Sequence, residues 1–204
     1  MVPMKIQNIS KGGCLANGFT LLELIIAIAI ITLISAVSFD ASSRSLNRSK
    51  VNAVAIELAA WFQTIRTSGV DTAFCSVIFN PDEVTLTEAP TRTAASIVFS
   101  RGNRVYSVEP AGCSGQPDFR VPDSVGGNTF TIWSNPLFQF TQRSNVIQTA
   151  SNSVVRNDVR ILMVGTRLLR CVRTFDSVGL FRIGSNSDAA GVDADCAATS
   201  FNRF

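Results

Sequence analysis

Histidine is absent from the 204 residues, and lysine, tyrosine and tryptophan are scarce at three, one and two. Without an imidazole no Ser-His-Asp or Cys-His nucleophile can be assembled, and no histidine-ligated metal can be held. Charge is thin too. It is carried by 16% of residues, against roughly 25% in an average soluble domain. With 46% of residues apolar, the chain has ample means to bury a core and does not read as disordered. CxxC spacing, a phosphate-cradling glycine loop and paired catalytic acids are all missing, so the sequence reads as a non-enzyme that implies neither metal nor cofactor. No internal repeat or low-complexity tract interrupts it.

What is present is a long apolar run. Residues 19–39 carry a single charge, Glu23. A lead with Lys5, Lys11 and no acid precedes them, and a polar stretch with Arg44, Arg48 and Lys50 follows. As a helix the run is about 30 Å long, enough to cross the hydrocarbon core of a bilayer. A cleaved secretory signal, with Ile34-Ser35-Ala36 as its cleavage site, and a plain membrane anchor are the two simple readings. Glu23 counts against both. A carboxylate within an apolar span costs up to about 3 kcal/mol at the membrane centre, and neither a disposable signal nor a simple anchor needs one.

Gly18-Phe19-Thr20-Leu21-Leu22-Glu23 ahead of an unbroken apolar stretch resembles the processing site of type IV prepilins and type II secretion pseudopilins. The resemblance implies that a prepilin peptidase at the inner membrane cuts between Gly18 and Phe19, removing 1–18, and that Phe19 becomes an N-methylated first residue. It also implies that Glu23 neutralises the terminal amine of a neighbouring subunit during filament assembly. The partners implied are other pilins or pseudopilins, the peptidase and the inner membrane. The protein would be single-pass with its head in the periplasm, then part of a pilus or pseudopilus. Glycine leaves the scissile bond open to a protease, and a carboxylate in the first helical turn is favoured by the helix dipole. Loss of the leader would lower the net charge from +3 to +1 and the cysteines from five to four.

Beyond the run, Val51, Val54, Ala55, Leu58, Trp61, Phe62 and Ile65 recur at spacings of three and four, one apolar stripe of a helix continuing to about Thr67, with Gly69 as its stop. The Trp61–Phe62 pair reads as core packing. From Asp71 the texture becomes β-rich. Strands are expected at Ala73–Phe79, Val84–Thr87, Ala95–Ser100, Arg104–Val108, Asn128–Trp133, Val159–Val164, Leu168–Arg173 and Leu180–Ile183. Gly102-Asn103 is expected to turn a hairpin, and Pro110–Val125 to be an irregular loop. The fold class is therefore α+β: a long N-terminal helix, transmembrane in its first half, packed on an antiparallel sheet. The expected divisions are 1–18 leader, 19–39 membrane or filament-core helix, 40–69 amphipathic helix and 70–204 β-rich head. Leu46-Asn47-Arg48-Ser49 leading into Ala53, Leu58, Ala59 and Ile65-Arg66, with a strand directly after, is similar to the FimT/GspH branch of minor pilins and pseudopilins.

Cys14 lies in the leader. The other four, Cys75, Cys113, Cys171 and Cys196, allow three pairings. The sequential one, Cys75–Cys113 with Cys171–Cys196, is favoured because it closes short loops without interlacing, and an oxidising compartment promotes it. Arginine outnumbers lysine fifteen to three. Some FimT-like pilins bind DNA through a Gly-Arg-x-Arg element, whose nearest counterpart here is Gly179-Leu180-Phe181-Arg182, so Arg167, Arg173 and Arg182 are the candidate DNA contacts. The missing arginine weakens them, since affinity follows the number of phosphates neutralised. Asp188, Asp193 and Asp195 read as a solvated acidic loop, with calcium the alternative.

Overall fold

The computed structural model describes residues 20–68, 74–83, 88, 94–110, 115–141, 146–147, 158–175, 180–197 and 200–201. Its backbone forms one α-helix, α1 (Leu21–Ser68, 48 residues), a short 3-10 turn at Asp123–Val125, and two compact units, Met1–Ser43 and Arg44–Phe204. Helix bounds agree with the apolar periodicity, while Gly69 lies outside the described residues.

In the first unit, α1 starts on a cap. The Thr20 hydroxyl accepts a hydrogen bond from the Glu23 N–H at 3.2 Å, and the Thr20 carbonyl accepts the first helical bond from Leu24 at 3.2 Å. The large side chains that follow are uncovered: Leu21, Leu22, Ile25 and Ile34 are all more than half exposed. The expectation of a transmembrane first half does not carry through to the described residues, among which no helix is long and apolar enough to cross a membrane. Its apolar side chains are described only as far as Ser35, about 24 Å of helix from Thr20.

In the second unit, ten strands form two five-stranded antiparallel sheets among the described residues. They are β1 (Phe74–Phe79), β2 (Ala95–Phe99), β3 (Arg104–Glu109), β4 (Phe119–Arg120), β5 (Phe130–Ser134), β6 (Leu137–Thr141), β7 (Val146–Ile147), β8 (Asp158–Met163), β9 (Leu169–Phe175) and β10 (Leu180–Asn186). One sheet runs β4-β3-β1-β6-β7 and the other β10-β9-β8-β5-β2. The single expected sheet is thus two. The hairpin expectation at Gly102-Asn103 is corrected as well. A turn is present, with Asn103 N–H bonded to the Ser100 carbonyl and Gly102 at φ +76°, but β2 pairs with β5 and β3 with β1. The turn carries the chain from one sheet to the other, because Gly102 and Asn103 spend their backbone bonds on Val121. The same Pro110–Val125 stretch that reads as loop supplies β4. Strands β6 and β7 are additions, and Val84–Thr87 lies outside the described residues.

The helical stripe makes the fold close. Val51, Val54, Ala55, Leu58, Trp61, Phe62 and Ile65 are all buried, in a cluster shared with Val77, Phe79 and Phe138 of one sheet and Ile132, Ile161 and Val172 of the other. Phe62 is the centre: its ring meets Tyr106, Phe138 and Phe140 of the first sheet and stacks on Phe181 of the second at 5.0 Å. Burying a Val, Leu, Ile or Phe side chain contributes about 1.5–3 kcal/mol, so the stripe is the main attachment of helix to sheets. The sheets are also pinned by a polar link. Tyr106 of β3, fully buried, donates to the Ser134 hydroxyl of β5 at 2.7 Å, which donates to the Asn135 carbonyl at 2.9 Å.

Candidate functional site

The N-terminal candidates divide at the edge of the described residues. Gly18 and Phe19 lie outside them. Glu23 is inside, third residue of α1, one turn after the Thr20 cap and on an exposed part of the helix. Thr20 was not singled out by its sequence, although Thr20-x-x-Glu23 has the pattern of a capping box, the signal that finds such a residue.

Cys171, Cys196 and the arginine candidates gather around β9 and β10 and on the tail that crosses them. Alternation along a strand puts Leu169, Cys171 and Arg173 on one face and Arg170 and Val172 on the other. Val172 faces the main core. Leu169 and Cys171 face away from it, and there Ala189, Val192 and Cys196 of the tail pack on them to form a second, smaller core with Trp133 and Phe201. The Cys171–Cys196 disulfide closes this layer with a sequence separation of 25, which is the expected pairing. Cys75 is buried on β1 and disulfide-bonded, and Cys113 lies outside the described residues.

Between sheet and tail sits a charged cluster that sequence reasoning missed. Asp158 is fully buried. Its Oδ2 accepts from Arg160 Nε and from an Arg173 guanidinium nitrogen, both at 3.2 Å. Arg160 is 4% exposed and lies over the Trp133 ring at 4.7 Å. It also donates to the Asp193 carbonyl at 2.5 Å and to Asp195 Oδ1 at 2.7 Å. Arg173 in turn lies over the Phe201 ring at 4.6 Å. Burying ions is costly unless each is paired and hydrogen-bonded; here two guanidiniums share Oδ2 of one carboxylate, while its buried Oδ1 has no hydrogen-bond partner. The clue in the sequence is Asp158-Val159-Arg160, an alternation that places opposite charges on one face of a strand.

These contacts revise two expectations. The acids of the 188–195 loop are not simply solvated: Asp195 pairs with Arg160, and Asp188 pairs with Arg167 at 2.9 Å. Among the described residues no group of three or more acids or cysteines could hold a metal ion. The arginines proposed for DNA do not form an open stripe either. Arg173 is drawn inward by Asp158, and exposed Arg167 is paired with Asp188. Arg182 stands opposite Arg173 in the β9–β10 register. Arg170, on the opposite face, donates to Asn52 of α1 at 3.4 Å. Its pKa is lowered by burial first and then by the charge of Arg48.

Residues 15–39 match the family model described as the prokaryotic N-terminal methylation motif. The match spans the Gly18–Glu23 hexapeptide and the apolar run. Neither the curated proteins nor the solved structures compared with the chain gave a match.

Proposed function

We propose that this chain is a structural subunit of a type IV pilus or type II secretion pseudopilus, a minor pilin or pseudopilin of the FimT/GspH branch, made as a prepilin. The observation that carries the reading is the methylation-motif match over 15–39, centred on Gly18-Phe19-Thr20-Leu21-Leu22-Glu23. The exposed leucines and isoleucines of Thr20–Ser35 agree with it, since an uncovered apolar surface of that extent calls for lipid or neighbouring helices.

Hydrolysis of the Gly18–Phe19 bond leaves a carboxylate on the leader and an amine on Phe19, which is then methylated. The helix anchors the subunit in the inner membrane with its head in the periplasm. It then packs among like helices in the filament, where Glu23 offers its carboxylate to a neighbour's Phe19 amine. The β-rich second unit chooses partners, and Cys75–Cys113 is its second disulfide. A DNA-binding role finds less support, because Arg167 and Arg173 already have carboxylate partners.

Intact-mass analysis of the chain produced beside a prepilin peptidase tests the proposal. It should begin at Phe19 and carry one added methyl group. Any other mature N-terminus overturns it. Gly18→Phe should block cleavage, and Glu23→Val should leave cleavage intact while keeping the subunit out of filaments.

A further inference from the structure

Most arginines of the second unit are neutralised by the chain itself: Arg101, Arg104, Arg160, Arg167 and Arg173 each reach an aspartate. Arg48 of α1 and Arg170 of β9 differ from these. Among the described residues no carboxylate pairs with either. Arg48 and Asn52 stand four residues apart on α1 and so share one face. Arg170 reaches that face from β9, donating through Nε to Asn52 Oδ1 at 3.4 Å. Its Nη1 donates to the Leu169 carbonyl at 3.3 Å, which leaves Nη2 without a bond among the described residues. The two cations are close enough for the charge of Arg48 to add to burial in lowering the Arg170 pKa. Two like charges side by side, one of them half-buried and the other exposed, cost free energy until an anion joins them. Two hydrogen bonds nevertheless fix the Arg170 guanidinium in place. The pair is thus a preformed receptor for a charged oxygen group such as a phosphate.

Position in the sequence says which anion is at hand. Arg48 follows the end of the apolar run by nine residues, and Arg44, one turn earlier on the same face, follows it by five. Basic side chains that come directly after an apolar helix meet phospholipid headgroups, and an anionic surface attracts each of them. We propose that Arg48 and Arg170, with Arg44 beside them, bind the phosphate of an anionic phospholipid headgroup. The inference rests on the prepilin reading, which puts residues 19–39 in the inner membrane.

The test titrates the full chain, held in neutral-detergent micelles, with phosphatidylglycerol, phosphatidylcholine or inorganic phosphate, and counts bound molecules by native mass spectrometry. The native chain should prefer phosphatidylglycerol. Arg48→Gln and Arg170→Gln should each weaken its binding about fivefold, the equivalent of ~1 kcal/mol for one basic residue at an anionic membrane surface. The two together should weaken it about 25-fold. Arg101→Gln removes the same charge from a residue paired with Asp123, and should stay within about twofold of native. Arg48 is exposed and repelled by Arg170, so Arg48→Gln should melt no lower than native, which keeps the test free of folding defects. Native-strength binding of phosphatidylglycerol by Arg48→Gln overturns the inference. So does inorganic phosphate bound as tightly as the lipid, which would make this a site for a free anion. So, too, does a double variant that loses self-association but not lipid preference, which would assign the arginines to a neighbouring subunit's carboxylates. Extraction of the native chain from vesicles of the same lipids by alkaline carbonate instead overturns the membrane reading, and the inference with it.

Discussion

Alkali should destabilise the second unit through a single proton. Tyr106 is the only tyrosine in the chain, is fully buried, and donates its hydrogen bond to Ser134 at 2.7 Å. Burial pushes its phenol well above the ordinary value of 10.0, and the Ser134 bond offsets only part of that rise. The folded state therefore holds the proton that the unfolded state releases. Below pH 10 both states keep it and stability is unaffected. Above pH 10 the unfolded state is stabilised by about 1.4 kcal/mol per pH unit, which amounts to roughly 2 kcal/mol at pH 11.5. In urea titrations at pH 8 and 11.5, the native protein should lose that amount beyond whatever Tyr106→Phe loses. At pH 8 the phenylalanine variant should itself be weaker by about 1 kcal/mol, the value of one hydrogen bond. Because there is one tyrosine, phenolate absorbance reports one site, and it should rise only along the unfolding transition seen by circular dichroism. Phenolate forming near pH 10 in a chain that remains folded would refute the argument.

Asp158→Ala should cost about 3–5 kcal/mol in urea unfolding, since it strands Arg160 without its internal carboxylate. Asp195→Ala, whose side chain is 45% exposed, should cost about 1 kcal/mol or less; equal losses would show that burial is not what matters. Replacing Cys171 and Cys196 together with alanine should remove about 3–4 kcal/mol by the chain-entropy relation for a separation of 25 residues. Limited proteolysis should then cut first in 187–201, and unchanged protection there would count against the tail's dependence on the bond. Gly184→Ala would set a methyl carbon 2.7 Å from the Phe201 ring and should cost about 1–3 kcal/mol. Phe201→Ala in the same chain should relieve part of the clash, and strict additivity of the two in thermal melts would rule out the contact.

The features readable from sequence were those with a period or a fixed chemical pattern. The stripe from Val51 to Ile65 was legible because a helix repeats its buried face every three to four residues, and all seven members are buried. The Gly18–Glu23 motif was legible as a string. Strand partners were not. Gly102-Asn103 signals a local reversal, but whether the strands beside it pair depends on Val121 and on β5, both far along the chain. Strand β4 lay hidden among prolines because a two-residue strand has no period. The fate of Arg173 and Asp195 was equally out of reach. A charged residue looks solvated until the tail that buries it is placed, and that placement is set by Cys196, Val192 and Phe201 acting across residues distant in sequence.

The tail follows β10 in the chain, so it is made after every strand it covers. Until it arrives, Leu169 and Cys171 have no cover on that face, Trp133 lies bare, and Arg160 has no Asp195. A chain truncated before Cys196 would leave that face, with Leu169, Cys171 and Trp133, open to chaperones and proteases.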